Sequence, residues 1–453
     1  MDLMSLHLEE IGDRLVKGEI AVAVVGLGRI GLPTAVSFAE AGAKVIGIDI
    51  DQRVVSEARE GRSKFVDEPG LNELLKKVVF DGRMKVTTDY GALAEADMVI
   101  VAVPTPVNEE KVPEYSYIDS ACNSISRYLK RGALLVVEST VGPGYVERVI
   151  IPLLERGSGM KAGSDFGVAS CPERANPGAI LRDMRKVPRI VGGIDARSSE
   201  VAATVYERVF GVKAVKVSSP KAANAAKLME NIFRDVNIAL ANEFALLFER
   251  LGIDIDEVIR ACSTKYNFVP HFPGAGVGGP CLPSNSYYLI SESVRVGNIP
   301  YLVRMAREIN DRMPEHVITL VGEAMNEVNK AIRGSKISVL GLSYKPNIRD
   351  LQLSPMEKVC VKLKEMGADL RPFDPYYRGE VVFGTRVAVD LESALKDADC
   401  ILIGTAHNEI RKTGVEVFAK LSSMPAALVD TSQVIDPKEA KRFGFVYKGV
   451  GRA

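Results

Sequence analysis

Tryptophan is absent from this 453-residue chain, and histidine occurs only at His7, His271, His316 and His407. With 6% aromatic residues, there is little stacking surface from which a ligand ring can be read. No HExxH is present, so a zinc-hydrolase reading has little support. The six cysteines (Cys122, Cys171, Cys262, Cys281, Cys360 and Cys400) are scattered without a CxxC pair, so neither a zinc ribbon nor a disulfide framework is legible, and no metal is expected. Net charge is missing too: 58 basic residues balance 58 acidic ones. A chain with no global field is disfavoured as a nucleic-acid or membrane-surface binder, although a local nest of N–H groups can still take a small anion. Apolar runs are short, such as Met98–Val103, far below the ~18–20 residues of a membrane span. The first twenty residues lack the apolar core of a signal peptide, so a cytoplasmic protein is expected.

What is present is an internal repeat. Ala21–Gly28 (AVAVVGLG) matches Lys336–Ser343 (KISVLGLS). Ala41–Asp51 (AGAKVIGIDID) matches Met366–Pro375 (MGADLRPFDP), and Ala96–Pro104 (ADMVIVAVP) matches Ala398–Ala406 (ADCILIGTA). Each block reads strand, helix, strand ending in Asp, helix, strand. That order predicts an α/β protein with two Rossmann-like, doubly wound parallel-sheet domains. Between them the pattern is helical. Ala222–Leu251 runs thirty residues without Gly or Pro, with apolar residues at Leu228, Ile232, Val236, Leu240 and Phe244. One long helix of about 45 Å is predicted, serving either a dimer interface or an intramolecular core. The expected domains are residues 1–217, 218–328 and 329–453.

Gly26-Leu-Gly28-Arg29-Ile30-Gly31 is a GxGxxG placed directly after a strand and before a helix. Gly26 permits the turn, Gly28 admits a pyrophosphate, and Gly31 lets helix pack on strand; the helix N-terminus supplies N–H groups. Asp49 ends the second strand, where a carboxylate accepts from the ribose hydroxyls of NAD and repels the 2′-phosphate of NADP. Arg53, close by, could bind that phosphate, which leaves NADP as the alternative. The second repeat has Gly341-Leu-Ser343 and lacks the fingerprint. It either holds a nucleotide-like ligand differently or serves as scaffold.

Pro273–Pro283 (PGAGVGGPCLP) sets Gly276, Gly278 and two further glycines ahead of Cys281. Such a loop brings backbone close to a ligand or turns tightly, and its cysteine is either a nucleophile or a small buried hydrophobe. Lys227 and Asn231, at i and i+4, share a helix face; as donors they suit an oxyanion, or they are solvated. Glu173, in Cys171-Pro-Glu-Arg174, either activates water or holds a hydroxyl, or pairs with Arg174 at the surface. Thr105 and Thr140 follow apolar strands whose carboxyl ends face the ligand crevice of such sheets. A cysteine beside NAD can capture an aldehyde as a thiohemiacetal, whose oxidation gives a thioester that water releases as an acid.

These motifs together resemble the nucleotide-sugar 6-dehydrogenases. The resemblance rests on GLGRIGLPTA, EPGL (Glu68–Leu71), VPTP (Val103–Pro106), ESTVGPG (Glu138–Gly144), CPER, KLMENIFRDVNIALANE (Lys227–Glu243), GVGGPC and GLSYKPN (Gly341–Asn347). The wording is most similar to the UDP-N-acetyl-D-mannosamine branch, and the UDP-N-acetylglucosamine branch shares much of it. The resemblance implies an NAD domain, a central dimerising domain with the long helix, and a UDP-sugar-binding domain. It implies oxidation of a sugar C6 alcohol to a carboxylate for a surface polysaccharide or glycan. Carried over, Cys281 is the nucleophile, and Lys227 and Asn231 hold the oxyanion. Glu173 acts as base or positions water, Thr140 lies near the reacting carbon, and Lys345 and Arg174 lie near the substrate.

Two positions depart from the family pattern. Asn285 stands where an Asp four residues past the cysteine is usual, and Asn cannot ionise. Gln352 stands in place of an expected Arg, with Arg349 close enough in sequence to replace it. Two other readings stay open: a two-electron β-hydroxyacid dehydrogenase, which also joins a Rossmann domain to long helices and a lysine but which Cys281 and the third domain argue against, and, on these two departures, a non-catalytic NAD/nucleotide-sugar sensor.

Overall fold

The computed structural model describes residues 1–452. The chain divides into two compact units. The first takes Met1–Glu230 and Tyr287–Asn298; the second takes Asn231–Ser286 and the chain from Ile299 onward. The division falls inside one helix, Pro220–Leu251.

The first unit carries β1 (Ala21–Val25), β2 (Lys44–Ile48), β3 (Met84–Thr87), β4 (Met98–Val101), β5 (Leu134–Val137), β6 (Gly167–Ser170), β7 (Arg189–Gly193) and β8 (Ala214–Val217). Their order across the sheet is β3-β2-β1-β4-β5-β6-β7-β8. The inner strands β1, β4 and β5 are short and apolar throughout because both faces are covered, whereas the edge strands β3 and β8 expose Lys85 and Lys216. Along β1, Val22 and Val24 enter one core while Ala23 and Val25 enter the other, the two-residue alternation of a pleated strand. The expected parallel sheet holds from β3 to β6 and then breaks, since β7 runs antiparallel to β6. Between β6 and β7 lies only one five-residue helix, Ile180–Met184. At ~1.5 Å per residue it cannot return the chain along the sheet, so the next strand starts where the last one ended.

The second unit carries β9 (Lys336–Leu340), β10 (Asp369–Phe373), a ribbon of β11 (Val381–Val382) with β12 (Thr385–Arg386), β13 (Ala398–Ile403), β14 (Ser422–Asp430) and β15 (Val446–Gly449). Its main sheet is all parallel, in the order β10-β9-β13-β14-β15. On β13, Cys400 and Leu402 face one core while Ile401 and Ile403 face the other. The helix Tyr301–Glu327 contributes Met313, Val317, Leu320 and Val321 to the first of these cores. Both sheets place the second strand beside the first, as the repeat predicts.

The helix Pro220–Leu251 begins two residues before the predicted start. Its apolar stripe does not stay on one face. Leu228 and Ile232 are buried, whereas Leu240 and Phe244 are about half exposed. Four residues advance a helix by about 400°, so a strict four-residue spacing drifts by roughly 40° per step. Beside the buried Leu228 and Ile232 runs a buried polar line: Asn224, Lys227, Asn231, Asp235 and Asn242.

Candidate active site

At the carboxyl end of β1, Gly26 has φ +92°, and a Cβ there would stand 2.6 Å from the Ala102 carbonyl oxygen. A Cβ on Gly31 would stand 1.8 Å from the Gly26 oxygen, so helix and turn are in van der Waals contact. Gly28 faces open space. The helix Gly31–Glu40 starts at Ile30 with no side-chain cap, leaving its N-terminal dipole for a ligand. Asp49 accepts from the Leu27 N–H at 2.8 Å through one oxygen and from the Asp51 N–H at 2.9 Å through the other. It lines a cavity of about 310 Å³ with Gly26, Ile48, Tyr90 and Tyr117. Arg53 is exposed and forks onto Asp51. Arg29 forms an ion pair with Asp67 at 2.8 Å, and Glu68 lies 3.4 Å away. An open cradle at Gly28, an uncapped helix and a carboxylate in the ribose position fit NAD. With Arg53 turned to Asp51, a 2′-phosphate would meet Asp49.

The loops after β4 and β5 are tied together. The Thr105 hydroxyl donates to the Thr140 carbonyl at 2.7 Å, and the Ser139 hydroxyl to the Val103 carbonyl at 2.8 Å. Tyr288 donates to the Thr105 carbonyl. Thr105 and Thr140 therefore form one ledge at the carboxyl end of the sheet.

Glu173 is buried and does not pair with the Arg174 side chain. Its Oε2 accepts from Arg189 Nη1 at 2.5 Å, and its Oε1 accepts from the backbone N–H groups of Arg174 (2.6 Å) and Ala175 (2.7 Å). Arg174 reaches the other way, to Glu230 on the long helix. Arg189 is itself only 2% exposed. The rings of Tyr206 and Phe210 lie 5.1 Å from its guanidinium carbon, and Nη2 lies 3.4 Å from Glu138 Oε1. Glu138 also accepts from Tyr206 (2.6 Å) and Thr34 (2.9 Å). Burial pushes the Glu138 carboxyl up to about 7, against the pull of Arg189. Burial opposes the charge on Glu173 as well, but there the attraction and hydrogen bond of Arg189 prevail and hold it below the usual carboxylate range. Sequence reading did not single out Arg189, Glu138 or Glu230. A lone arginine heading the apolar strand RIVGG was the available signal.

In the second unit Cys281 is exposed and immediately precedes the helix Leu282–Arg295. Its carbonyl accepts from the Asn285 N–H at 3.0 Å, so it stands at the helix N-terminus, where the dipole favours negative charge. Asn231 donates to Asn285 Oδ1 at 2.6 Å. This leaves two neutral amides, and no carboxylate, one turn beyond the cysteine. The adjacent Asp235 accepts from Ser286 (2.7 Å) and Asn310 (2.9 Å) and pairs with Arg307 at 2.7 Å. Lys227 lies one turn before Asn231 and is 9% exposed.

The glycine loop packs on protein. A Cβ on Gly278 would meet the Leu353 oxygen at 2.5 Å and Tyr344 Cβ at 2.8 Å, and one on Gly276 the Asn310 oxygen at 2.8 Å. The Gly279 N–H donates to the Gln352 carbonyl at 2.9 Å. Lys345 is half-buried in the neighbouring GLSYKPN segment. Arg349 pairs with Glu380 at 2.7 Å, and its guanidinium lies over the Tyr377 ring. Among the described residues, no group of side chains is arranged to hold a metal ion.

Comparison with known proteins finds matches to three family models along the chain. Family models of UDP-glucose/GDP-mannose dehydrogenases cover residues 20–210 (NAD binding domain), 221–312 (central domain) and 338–437 (UDP binding domain). A UDP-N-acetyl-D-mannosamine dehydrogenase of Pyrococcus horikoshii is 37% identical over 95% of this chain and 99% of its own. A UDP-N-acetyl-D-glucosamine 6-dehydrogenase of Pseudomonas aeruginosa is 33% identical over 92% of this chain and 98% of its own. The solved structure of the UDP-N-acetylmannosamine enzyme from Pyrococcus horikoshii superposes with a TM-score of 0.89 at 36% identity, covering 96% of this chain and 99% of that one. With a cradle that fits NAD and matches spanning nearly its whole length, the chain belongs to the UDP-glucose/GDP-mannose dehydrogenase family and is an NAD-dependent UDP-sugar dehydrogenase.

Proposed function

We propose that the chain oxidises the C6 hydroxyl of a UDP-N-acetylhexosamine to the carboxylate, with UDP-N-acetyl-D-mannosamine as the preferred substrate. The observation that carries this reading is Cys281 at a helix N-terminus, one turn from the Asn285–Asn231 pair. The mannosamine choice draws support from the Pyrococcus horikoshii relative. When bound, NAD accepts hydride from C6 in each of two oxidations. Cys281 adds as thiolate to the aldehyde left by the first oxidation, forming a thiohemiacetal. Oxidation of that adduct gives a Cys281 thioester, and water cleaves it to the acid and the free thiol. Lys227 and Asn231 donate to the oxygen that carries negative charge along this path. Thr140 sits beside the reacting carbon, and Glu173 orients the hydrolytic water. Gly276, Gly278, Arg174 and Lys345 hold the substrate or shape its walls.

The test is a comparison of kcat/KM for UDP-N-acetylmannosamine, UDP-N-acetylglucosamine and UDP-glucose. A preference of at least tenfold for the first supports the branch; a preference for another replaces it. Cys281→Ala is expected to abolish uronate formation while NAD still binds. Uronate formed at the wild-type rate would remove the cysteine from the mechanism.

The same reading includes a homodimer. Met229, Phe233, Leu240, Phe244, Leu247 and Leu251 are exposed on the long helix and, at 100° per residue, fall within an arc of about 60°. An apolar stripe of that length is suited to a second copy of itself. Light scattering on Leu240→Arg is expected to show loss of the dimer mass; a monomeric parent would overturn this part.

A further inference from the structure

The Arg189 cluster is not an ordinary surface ion pair. Two carboxylates, Glu138 and Glu173, share one guanidinium, and all three are buried. The elements around Glu138 supply Thr34 from the glycine-loop helix, Tyr206 from the helix Ala196–Phe210, Arg189 from β7, and Glu173 and Cys171 from the segment after β6. Cys171 and Tyr206 are both pushed up by burial and then by Glu138, and stay protonated. Arg189 stays charged, because Glu173 and Glu138 outweigh its burial. Glu138 is left as the member that changes charge near neutrality.

The hydrogen-bond inventory of Glu173 makes the second half of the argument. An ionised carboxylate offers about four acceptor sites. Three are taken, two by backbone N–H groups and one by Arg189. A carboxylate held in this way accepts one further hydrogen bond well and takes up a proton poorly.

We propose that Arg189 is a positioning residue that fixes Glu173 as an ionised acceptor, orienting a water or hydroxyl without taking its proton, and that Glu138 modulates this hold by competing for Arg189. The inference rests on Glu173 belonging to the reacting centre. While Glu138 is protonated, Arg189 is dedicated to Glu173. Once Glu138 ionises, the guanidinium is divided between two anions and the hold on Glu173 slackens.

Glu138→Gln keeps an acceptor for Tyr206 and Thr34 but cannot ionise. The ratio of its kcat to that of the parent is expected to rise at least threefold between about pH 6 and about pH 8, with a midpoint near 7. Arg189→Lys, which keeps charge but not the two-pronged reach, is expected to lower kcat at least tenfold with KM for the UDP-sugar unchanged. A flat ratio for the first variant, or parental kcat for the second, overturns the proposal. If Arg189→Lys does not fold, the Glu138→Gln profile decides alone. A substrate-free readout separates this from failure of the assigned activity. In pH-difference infrared spectra of the ligand-free protein, a buried carboxylic acid is expected to titrate near 7 and to vanish in Glu138→Gln. No such band would contradict the cluster's charge assignment whatever the enzyme turns over.

Discussion

Asp49 and Asp374 occupy the same place in the two halves of the repeat. Each follows the second strand of its sheet, and each accepts from the N–H that follows the first glycine of the turn, Leu27 at 2.8 Å and Leu342 at 2.9 Å. Their surroundings then diverge. Asp49 lines an open cavity. Asp374 is fully buried, and the Ser343 hydroxyl (3.2 Å) and His407 Nε2 (3.0 Å) close over it. His407 is fixed in turn, since its Nδ1 accepts from the Asn347 N–H at 2.9 Å and its Nε2–H donates to Asp374. In the second sheet, Ser343 and His407 sit on the carboxylate where a ribose would bind in the first.

Asp49→Asn and Asp374→Asn are therefore expected to differ. The first should weaken NAD binding by roughly 10–100-fold, the equivalent of about 1.5–3 kcal/mol for a hydrogen bond to a charged group. The second should leave NAD affinity unchanged and lower the melting temperature, because it strips charge from a buried carboxylate that accepts five hydrogen bonds. Calorimetric titration with NAD, alongside thermal melts, distinguishes the two.

The glycines of the first turn separate in a similar way. Gly31→Ala puts a Cβ 1.8 Å from the Gly26 oxygen and is expected to destabilise the fold by several kcal/mol. Gly28→Ala meets nothing within 4 Å, so its melting temperature should stay within a degree or two of the parent. Its NAD affinity should nonetheless fall at least tenfold, because the added methyl occupies the pyrophosphate's path. Equal loss of stability in both variants would refute the assignment of Gly28 to the ligand.

Glu138 has a stability consequence independent of turnover. Its carboxyl is raised from 4.5 to about 7 by burial, so the folded protein binds its proton more tightly than the unfolded chain does. That contribution is whole below about 4.5 and is lost as pH rises through about 7, with an upper bound on the order of 3 kcal/mol. Glu138→Gln should thus gain melting temperature relative to the parent on going from about pH 5 to about pH 8. A constant difference across that range would show that Glu138 is ionised throughout.

The repeat, the nucleotide turn and the thirty-residue helix were legible because each is a local pattern: glycines at fixed spacing, short apolar runs, an absence of breakers. The switch of direction at β7 was not, because it depends on how little helix lies between two strands. The polar line on the long helix was hidden for a related reason. Apolar residues at four-residue spacing drift off the buried face, while Asn224, Lys227, Asn231, Asp235 and Asn242 stay in line along it. Arg189 heads β7 and Glu138 follows β5, 51 residues apart in sequence, and only the folded sheet brings them together. Asn285 was recognisable as a departure, but its partner Asn231 became visible only across the helix packing.

The most direct test of the account is the number of NADH molecules released per molecule of UDP-N-acetyl-D-mannosamine consumed to completion. Oxidation through a Cys281 thioester predicts two, with the uronate as product and none formed by Cys281→Ala. One NADH per sugar, with free aldehyde in solution, would contradict the four-electron mechanism and remove Cys281 from its centre.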